Sequence, residues 1–337
     1  IDPAPCSSVL VGNGSGAVGL IESPQGITTT CQGKIYFSDS NNNRIWVIDE
    51  NGARTIINTG GTKGNTVGTD PTTVKLNLPT GLVSFGNTVY FCDQVNHNIK
   101  AYNPTTGVQI IAGESAATPV GGDLDGIGTA ARFRNPYGIA IDDLGKTLFV
   151  SDSRNFKIKK IDIATKLVTT ITGSATGDVP DGTTVPGPVA ASAAQFGLLG
   201  HLTFAEGNLY IADPSRSTIK KLNLATNMVS IAVNRKGSLE RVSGLAIDCD
   251  GNVYYSDVNG NKIFKVSASG SITDLAVSSL DVPSSISLYN RGYIDIANFT
   301  GNSVVRATIK GWKESAFAGL KNFYCNTETT PSALTST

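Results

Sequence analysis

The sequence predicts an all-β fold, a six-bladed β-propeller with four-stranded blades whose ring is closed by pairing of the chain ends. Three registers that recur six times predict it. Aspartates stand at Asp39, Asp93, Asp152, Asp213 and Asp257, with Asn298 as a sixth member. Six positions after each comes Ile45, Ile99, Ile158, Ile219, Ile263 and Val304. Three positions before stand Tyr36, Tyr90, Phe149, Tyr210 and Tyr254, whereas the sixth unit carries Asp295. The residue directly before each is small: Ser38, Cys92, Ser151, Ala212, Ser256 and Ala297. Self-similarity of this kind is the mark of a repeat architecture.

Each unit reads as four short strands. In the third they cover 138–142, 147–151, 158–162 and 168–172, with Gly- and Asp-bearing turns between them. Units of about 40–60 residues with four strands apiece are propeller blades. A Gly and an apolar residue open most units, as in Pro24-Gln25-Gly26-Ile27, Pro79-Thr80-Gly81-Leu82 and Pro136-Tyr137-Gly138-Ile139. The order P-x-G-φ, G-x-φ-Y-φ-S-D and N-x-I-x-x-φ-D resembles NHL repeats, and residues 122–133 (GDLDGIGTAARF) resemble their inter-blade loop. The resemblance spans about residues 8 to 320. It implies one propeller over 1–320 and a Thr/Ser/Pro-rich tail or linker over 321–337. For function it implies little, since one such fold hosts many roles.

Residues 8–12 (SVLVG) and 315–319 (SAFAG) both have the pattern of a blade's outermost strand, and one of them is expected to complete the sixth blade. Cys6 and Cys325 flank these segments. A disulfide between them would lock the ring, provided their Cα atoms lie within about 7 Å; free or differently paired thiols are the alternative. Cys92 occupies a small-residue strand position and reads as core. Cys31 and Cys249 fall in equivalent inner turns of separate blades, too far apart to bond. With 5 cysteines, at least one is unpaired.

Composition narrows the function class. Lys plus Arg and Asp plus Glu are 27 each, so the formal net charge is zero. No long-range field draws nucleic acid or an anionic membrane, and no apolar run suits membrane insertion. Charged residues are 16% of the chain, below the roughly 25% usual for soluble domains, and Gly reaches 37. Two sequons occur, at Asn13 and Asn298, and residues 327–337 (TETTPSALTST) have the composition of an O-glycosylated stalk. A start at Ile1 fits a processed or trimmed chain. Together these point to a secreted, extracellular glycoprotein. Asn13, in a Gly-rich stretch, is the better glycan acceptor, because Asn298 replaces a repeat Asp and is expected inside its turn.

The turns after the repeat Asp share a face with the connections between blades. Long connections near 58–78, 113–135 and 173–199 are expected to pile over one half of that face, and long loops often carry function. With the adjoining turn residues Asn96, His97, Arg154, Phe156 and Arg216 they form the candidate interaction surface. The repeat Asp residues recur too often to be catalytic and read as turn formers. His97 and His201 lie in different blades and cannot assemble the several-His zinc set of NHL-like lyases. His201 reads as a packed inner-strand residue. No acidic set matches the calcium channel of gluconolactonase-like propellers. Asp142 and Asp248 read as turn formers, and Asp123-x-Asp125-Gly126 lacks the remaining ligands of a calcium loop. No metal or cofactor is expected. Asp295, where five units carry a ring, is the isolated departure.

The leading reading is a non-catalytic scaffold that binds a protein or glycan, or copies of itself in a fibre or matrix. The rival is a metal-dependent hydrolase or lyase at the channel mouth.

Overall fold

The computed structural model describes residues 7–12, 21–174, 187–235, 241–289 and 292–309. Cys6, Cys325, Asn13 and the 321–337 segment lie outside the described residues, so the disulfide, the first sequon and the tail are not placed.

Six antiparallel sheets form six blades, four of them with four strands and two with five. Their inner strands are Pro24–Thr29, Pro79–Phe85, Pro136–Ile141, Leu202–Ala205, Val242–Ile247 and Pro283–Tyr289. In blade three, successive hairpins join Pro136–Ile141, Thr147–Asp152, Lys157–Asp162 and Leu167–Gly173. The sixth blade takes its outermost strand from the other chain end: Ser7–Gly12 pairs antiparallel with Ser303–Thr308. Of the two candidate closing segments, the structure uses the N-terminal one.

The core is a set of wedges between neighbouring blades. One wedge packs Tyr90, Cys92 and Ile99 of blade two on Ile139, Leu148 and Val150 of blade three. The next packs Phe149 and Ile158 on Leu209, Ile211 and Leu222. Second strands such as Thr147–Asp152 are therefore covered on both faces, which is why they open as β-branched and aromatic runs. The repeat Ile is fully buried in blades one to five. Truncating any one to Ala removes about 2–5 kcal/mol.

The small residue and the P-x-G turn belong to the same joint. Ser151 donates to the Gly200 carbonyl at 2.7 Å, Ser256 to Ser284 at 3.2 Å and Cys92 to Gly138 at 3.7 Å. Each bond ties a blade's second strand to the inner strand of the next. Inner strands approach so closely there that a Cβ on Gly138 would stand 2.5 Å from the Gly200 carbonyl oxygen, so the position requires glycine.

Among the described residues, part of each long connection pairs with the outer edge of the blade it enters. Gly68 bridges Val108 in blade two; Gly126–Ile127 pairs with Leu167 and Val168 in blade three; Val189–Ala190 pairs with Met228 and Val229 in blade four. An outer strand exposes a row of unpaired backbone groups, and these connections cover it.

Candidate interaction face

The repeat carboxylates act at longer range than their own turn. Asp93 accepts the Asn77 N–H at 2.7 Å, Asp152 the Arg134 N–H at 2.6 Å and Asp257 the Arg241 N–H at 2.8 Å. Asp39 and Asp213 do the same for Glu22 and Gly197. Asn298 holds the Asp281 N–H at 2.6 Å. Every repeat acid thus pins the connection entering its blade. The Asn298 amide also donates to the Ser279 carbonyl and the Ser303 hydroxyl, and the residue is fully buried. That leaves the folded side chain no room for a glycan.

Three residues further on, the side chain returns to the same carboxylate. Asn42, Asn96, Asn155 and Arg216 donate to Asp39, Asp93, Asp152 and Asp213, Asn96 at 2.7 Å and Arg216 at 3.1 Å. Asn96 is buried and also holds the Gly64 carbonyl. Asn96 and Arg216 are therefore corrected from interaction residues to members of the turn.

The next position closes the turn in the left-handed region: Asn43, His97, Phe156, Ser217, Asn261 and Asn302 all have φ between 47° and 58°. Asparagine tolerates that conformation, and here its oxygen does further work. Asn43, Asn261 and Asn302 accept the N–H of Leu78, Val282 and Ser23, the residue that opens the following blade. His97 replaces this amide with its ring, Nδ1 accepting the Asn135 N–H at 3.1 Å. Burial and the nearby Arg134 cation hold its pKa below the ordinary range, as an acceptor nitrogen requires. His97 is thus likewise corrected, from surface contact to blade joint.

Buried lysines complete two of these turns. Lys100 meets Asp93 at 2.6 Å and Lys220 meets Asp213 at 2.9 Å. In blade three the matching Lys159 turns to Asp123 and Asp125, at 3.0 and 2.9 Å. Both acids of the calcium-like fragment are occupied in this way, with Lys157 also on Asp123. Asp152 lacks the direct lysine contact, and burial raises its carboxyl to about 7.

The axis is crossed by two rings. Tyr137 of blade three reaches Ser284 of blade six at 3.4 Å, while His201 of blade four has a hydrogen bond to the Gln25 backbone of blade one. Blades three and six, and four and one, are opposite members of the ring. The two rings lie 4.9 Å apart, and burial pushes His201 down to about 4. Its Nε2 is buried without a partner among the described residues. Sequence reading placed His201 at the inner strand but missed the crossing, because nothing in the repeat spacing records which side chains meet at the axis.

Asp295 is also explained. It is fully buried and forms a two-point pair with Arg306, at 2.6 and 2.8 Å, and it accepts the Thr29 hydroxyl of blade one. In blades four and five the same cross-strand pairs are Tyr210 with Lys221 and Tyr254 with Lys265, each lysine lying over the ring. Blade six exchanges a cation–π pair for an ion pair. Cys31, Cys92 and Cys249 are unpaired thiols. Among the described residues no group of three or more His, Cys, Asp or Glu is placed to hold a metal.

Two of the five predicted surface residues remain uncommitted, Arg154, exposed, and Phe156, half-buried. Arg134 and Val120 stand exposed beside them: the Arg154 N–H donates to the Arg134 carbonyl, and Gly121, next to Val120, lies against Arg134 and His97. No ion pair among the described residues engages Arg134 or Arg154. This is a small basic and apolar patch at the junction of blades two and three.

Comparison with known proteins agrees with the fold. No family model matches the chain. NHL repeat-containing protein 2 of Homo sapiens is 38% identical over 112 residues, 33% of this chain and 15% of that protein. The chain is a six-bladed β-propeller whose repeats are similar to NHL repeats. Protein SUPPRESSOR OF QUENCHING 1, chloroplastic, of Arabidopsis thaliana is 29% identical over 203 residues, 57% of this chain and 18% of that protein. The chain thus spans less than a fifth of the length of these curated relatives. Among solved structures, a streptogramin B lyase superposes with a TM-score of 0.60 at 13% identity, covering 91% of this chain and 98% of its own. A propeller from a nidogen/laminin complex gives 0.53 at 17%, covering 75% and 80%. At such identities the likeness concerns fold alone.

Proposed function

We propose that this propeller is a non-catalytic, extracellular interaction module that recognises an acidic partner, a protein or a glycan carrying carboxylates, through the patch of Arg134, Arg154, Phe156 and Val120. One observation carries the reading. The chemistry-bearing side chains of the repeat are spent on holding the ring, while the two arginines and the Phe156 ring stay uncommitted. Arg and aromatic side chains are the usual anchors of protein surfaces that bind, and a guanidinium fork suits a carboxylate. The Asn13 sequon and the Thr/Ser-rich 327–337 segment support an extracellular setting. Propellers of this shape include a lyase and a member of a nidogen/laminin complex, so the site rather than the fold decides.

The test immobilises the purified protein and measures binding to acidic peptides and uronate-bearing glycans. At least one class is expected to bind at moderate salt, with affinity falling about tenfold or more in Arg154→Ala/Phe156→Ala, the cost of one or two interface anchors. Equal binding by wild type and variant, or turnover of a substrate by metal-loaded protein, would overturn the proposal.

A further inference from the structure

Three residues of the second repeat form a side-chain cluster that no other turn reproduces among the described residues. Asp93 stands at the repeat position, Asn96 three positions on and Lys100 seven positions on. Blade one has Trp46 at the seventh position, blade four has Arg216 at the third, and blades five and six have glycine at the third. Blade three keeps the trio as Asp152, Asn155 and Lys159, but its lysine is drawn off to Asp123 and Asp125. In blade two the three side chains stay together in the core, Lys100 and Asp93 at 0% exposure and Asn96 at 1%.

Their contacts converge on one atom. Asp93 Oδ2 accepts from Lys100 Nζ at 2.6 Å and from Asn96 Nδ2 at 2.7 Å, while Oδ1 holds the Asn77 N–H. The Asn96 amide nitrogen also donates to the Gly64 carbonyl at 2.7 Å, which fixes the plane of the carboxamide. Nζ is held further by the Thr66 and Lys75 carbonyls, at 3.3 and 3.4 Å. An amine, a primary amide and a carboxylate thus share one buried site, with both nitrogens on the same carboxylate oxygen. Fixing reactants side by side turns a bimolecular encounter into a step within one molecule. Burial keeps out the water that would compete for the amide carbon.

We propose that the chain joins Lys100 to Asn96 by an isopeptide bond, with Asp93 carrying the protons. Lys100 hands one proton to Asp93 along their hydrogen bond, which leaves a neutral amine and a neutral acid where two charges were buried. The Nζ lone pair attacks Asn96 Cγ and the Nζ–Cγ bond forms. Nζ then sheds a second proton, and the amide nitrogen gains one through the carboxyl group that touches both. The Cγ–Nδ2 bond breaks and ammonia leaves; it takes up the remaining proton as ammonium, and Asp93 returns to the carboxylate. No oxidant, reductant or co-reactant enters. The product exchanges a buried ion pair for a neutral amide and closes the turn from Asn96 to Lys100 covalently. This bond and the binding patch of Arg134, Arg154, Phe156 and Val120 are independent, and either can fail without the other.

The test unfolds the full-length protein in urea, digests it with trypsin and reads the peptides by mass spectrometry. A free chain is cut after Lys75, Lys100 and Arg132. The expected product is one peptide covering 76–132, uncut at Lys100 and lighter than its sequence by one ammonia, about 17 Da. Reductive dimethylation of the unfolded protein is expected to spare Lys100. Asp93→Asn keeps an oxygen for the Asn77 N–H, as Asn298 keeps one for Asp281 in blade six, but shuttles no proton. It is expected to give separate peptides 76–100 and 101–132 at full mass. The wild-type digest decides the bond by itself, whether or not the variant folds. Separate full-mass peptides from the wild type would overturn the inference. So would loss of ammonia with Lys100 still cut, the mark of a succinimide at Asn96, or an intact link in Asp93→Asn.

Discussion

At the scale of single residues, the repeat uses one atom where a reader of sequence sees a residue type. Position four after the repeat acid requires a left-handed backbone and an acceptor for the next blade's N–H, which asparagine supplies in three blades. His97 keeps the acceptor only while its ring is neutral. Its pKa lies below the ordinary histidine value, so the unfolded chain binds a proton first on acidification. The stabilisation is full above about pH 6.5 and is lost as pH falls below it. His97→Asn is therefore expected to match wild-type thermal stability at pH 7.5 and to lose less of it by pH 5.5. His97→Ala, which orphans the Asn135 N–H, is expected to cost about 1–3 kcal/mol at pH 7.5 and less at pH 5.5, by denaturant titration. Phe156 at the same position makes no such bond, and that asymmetry marks it as available. The spacing alone assigned both residues to a surface; the difference between them lies in a contact 38 residues along the chain.

Among the strands and their pairs, legibility follows range. Inner and middle strands were readable because each is short and punctuated by Gly and Asp, and the second strands are apolar on both faces. The edge pairings of Gly126–Ile127 and Val189–Ala190 were not, since two residues carry no periodicity. The partner of Asp295 was legible in principle. Tyr210 pairs with Lys221, Tyr254 with Lys265 and Asp295 with Arg306, always eleven positions apart. That arithmetic needs the hairpin register, which the repeat alone leaves free. The pair also predicts. Arg306→Met leaves a fully buried carboxylate with the Thr29 hydroxyl as a remaining hydrogen-bond donor, and is expected to cost about 3–5 kcal/mol. Asp295→Tyr/Arg306→Lys installs the blade-four pair and is expected to recover more than half of that loss. Chemical denaturation of the three proteins decides it; a double variant no better than Arg306→Met would show that the ion pair is needed for its link to Thr29.

For the whole ring, six wedges fix neighbours to neighbours, and the chain-end strand fixes last to first. What joins opposite sides is the axial pair of Tyr137 and His201, bonded to blades six and one. Burial holds His201 at about 4, so protonation must pull it from the axis or unfold the ring. The unfolded histidine titrates near 6.5. Between those values the unfolded state holds the extra proton, and stability falls as pH falls. From pH 8 to pH 5 the loss from this one group amounts to about 2 kcal/mol. Asp143 and Asp152 act oppositely, since burial raises them to about 6 and about 7, so their folded forms take up protons first and gain stability on acidification. The histidine therefore shows as a difference between variants. His201→Phe keeps a ring against Tyr137 and takes no proton, and is expected to lose about 2 kcal/mol less than wild type between pH 8 and pH 5. Urea titrations at the two values, on wild type and variant, measure it. Parallel losses would mean that protonated His201 finds a partner at the axis and that opposite blades are held by the wedges alone.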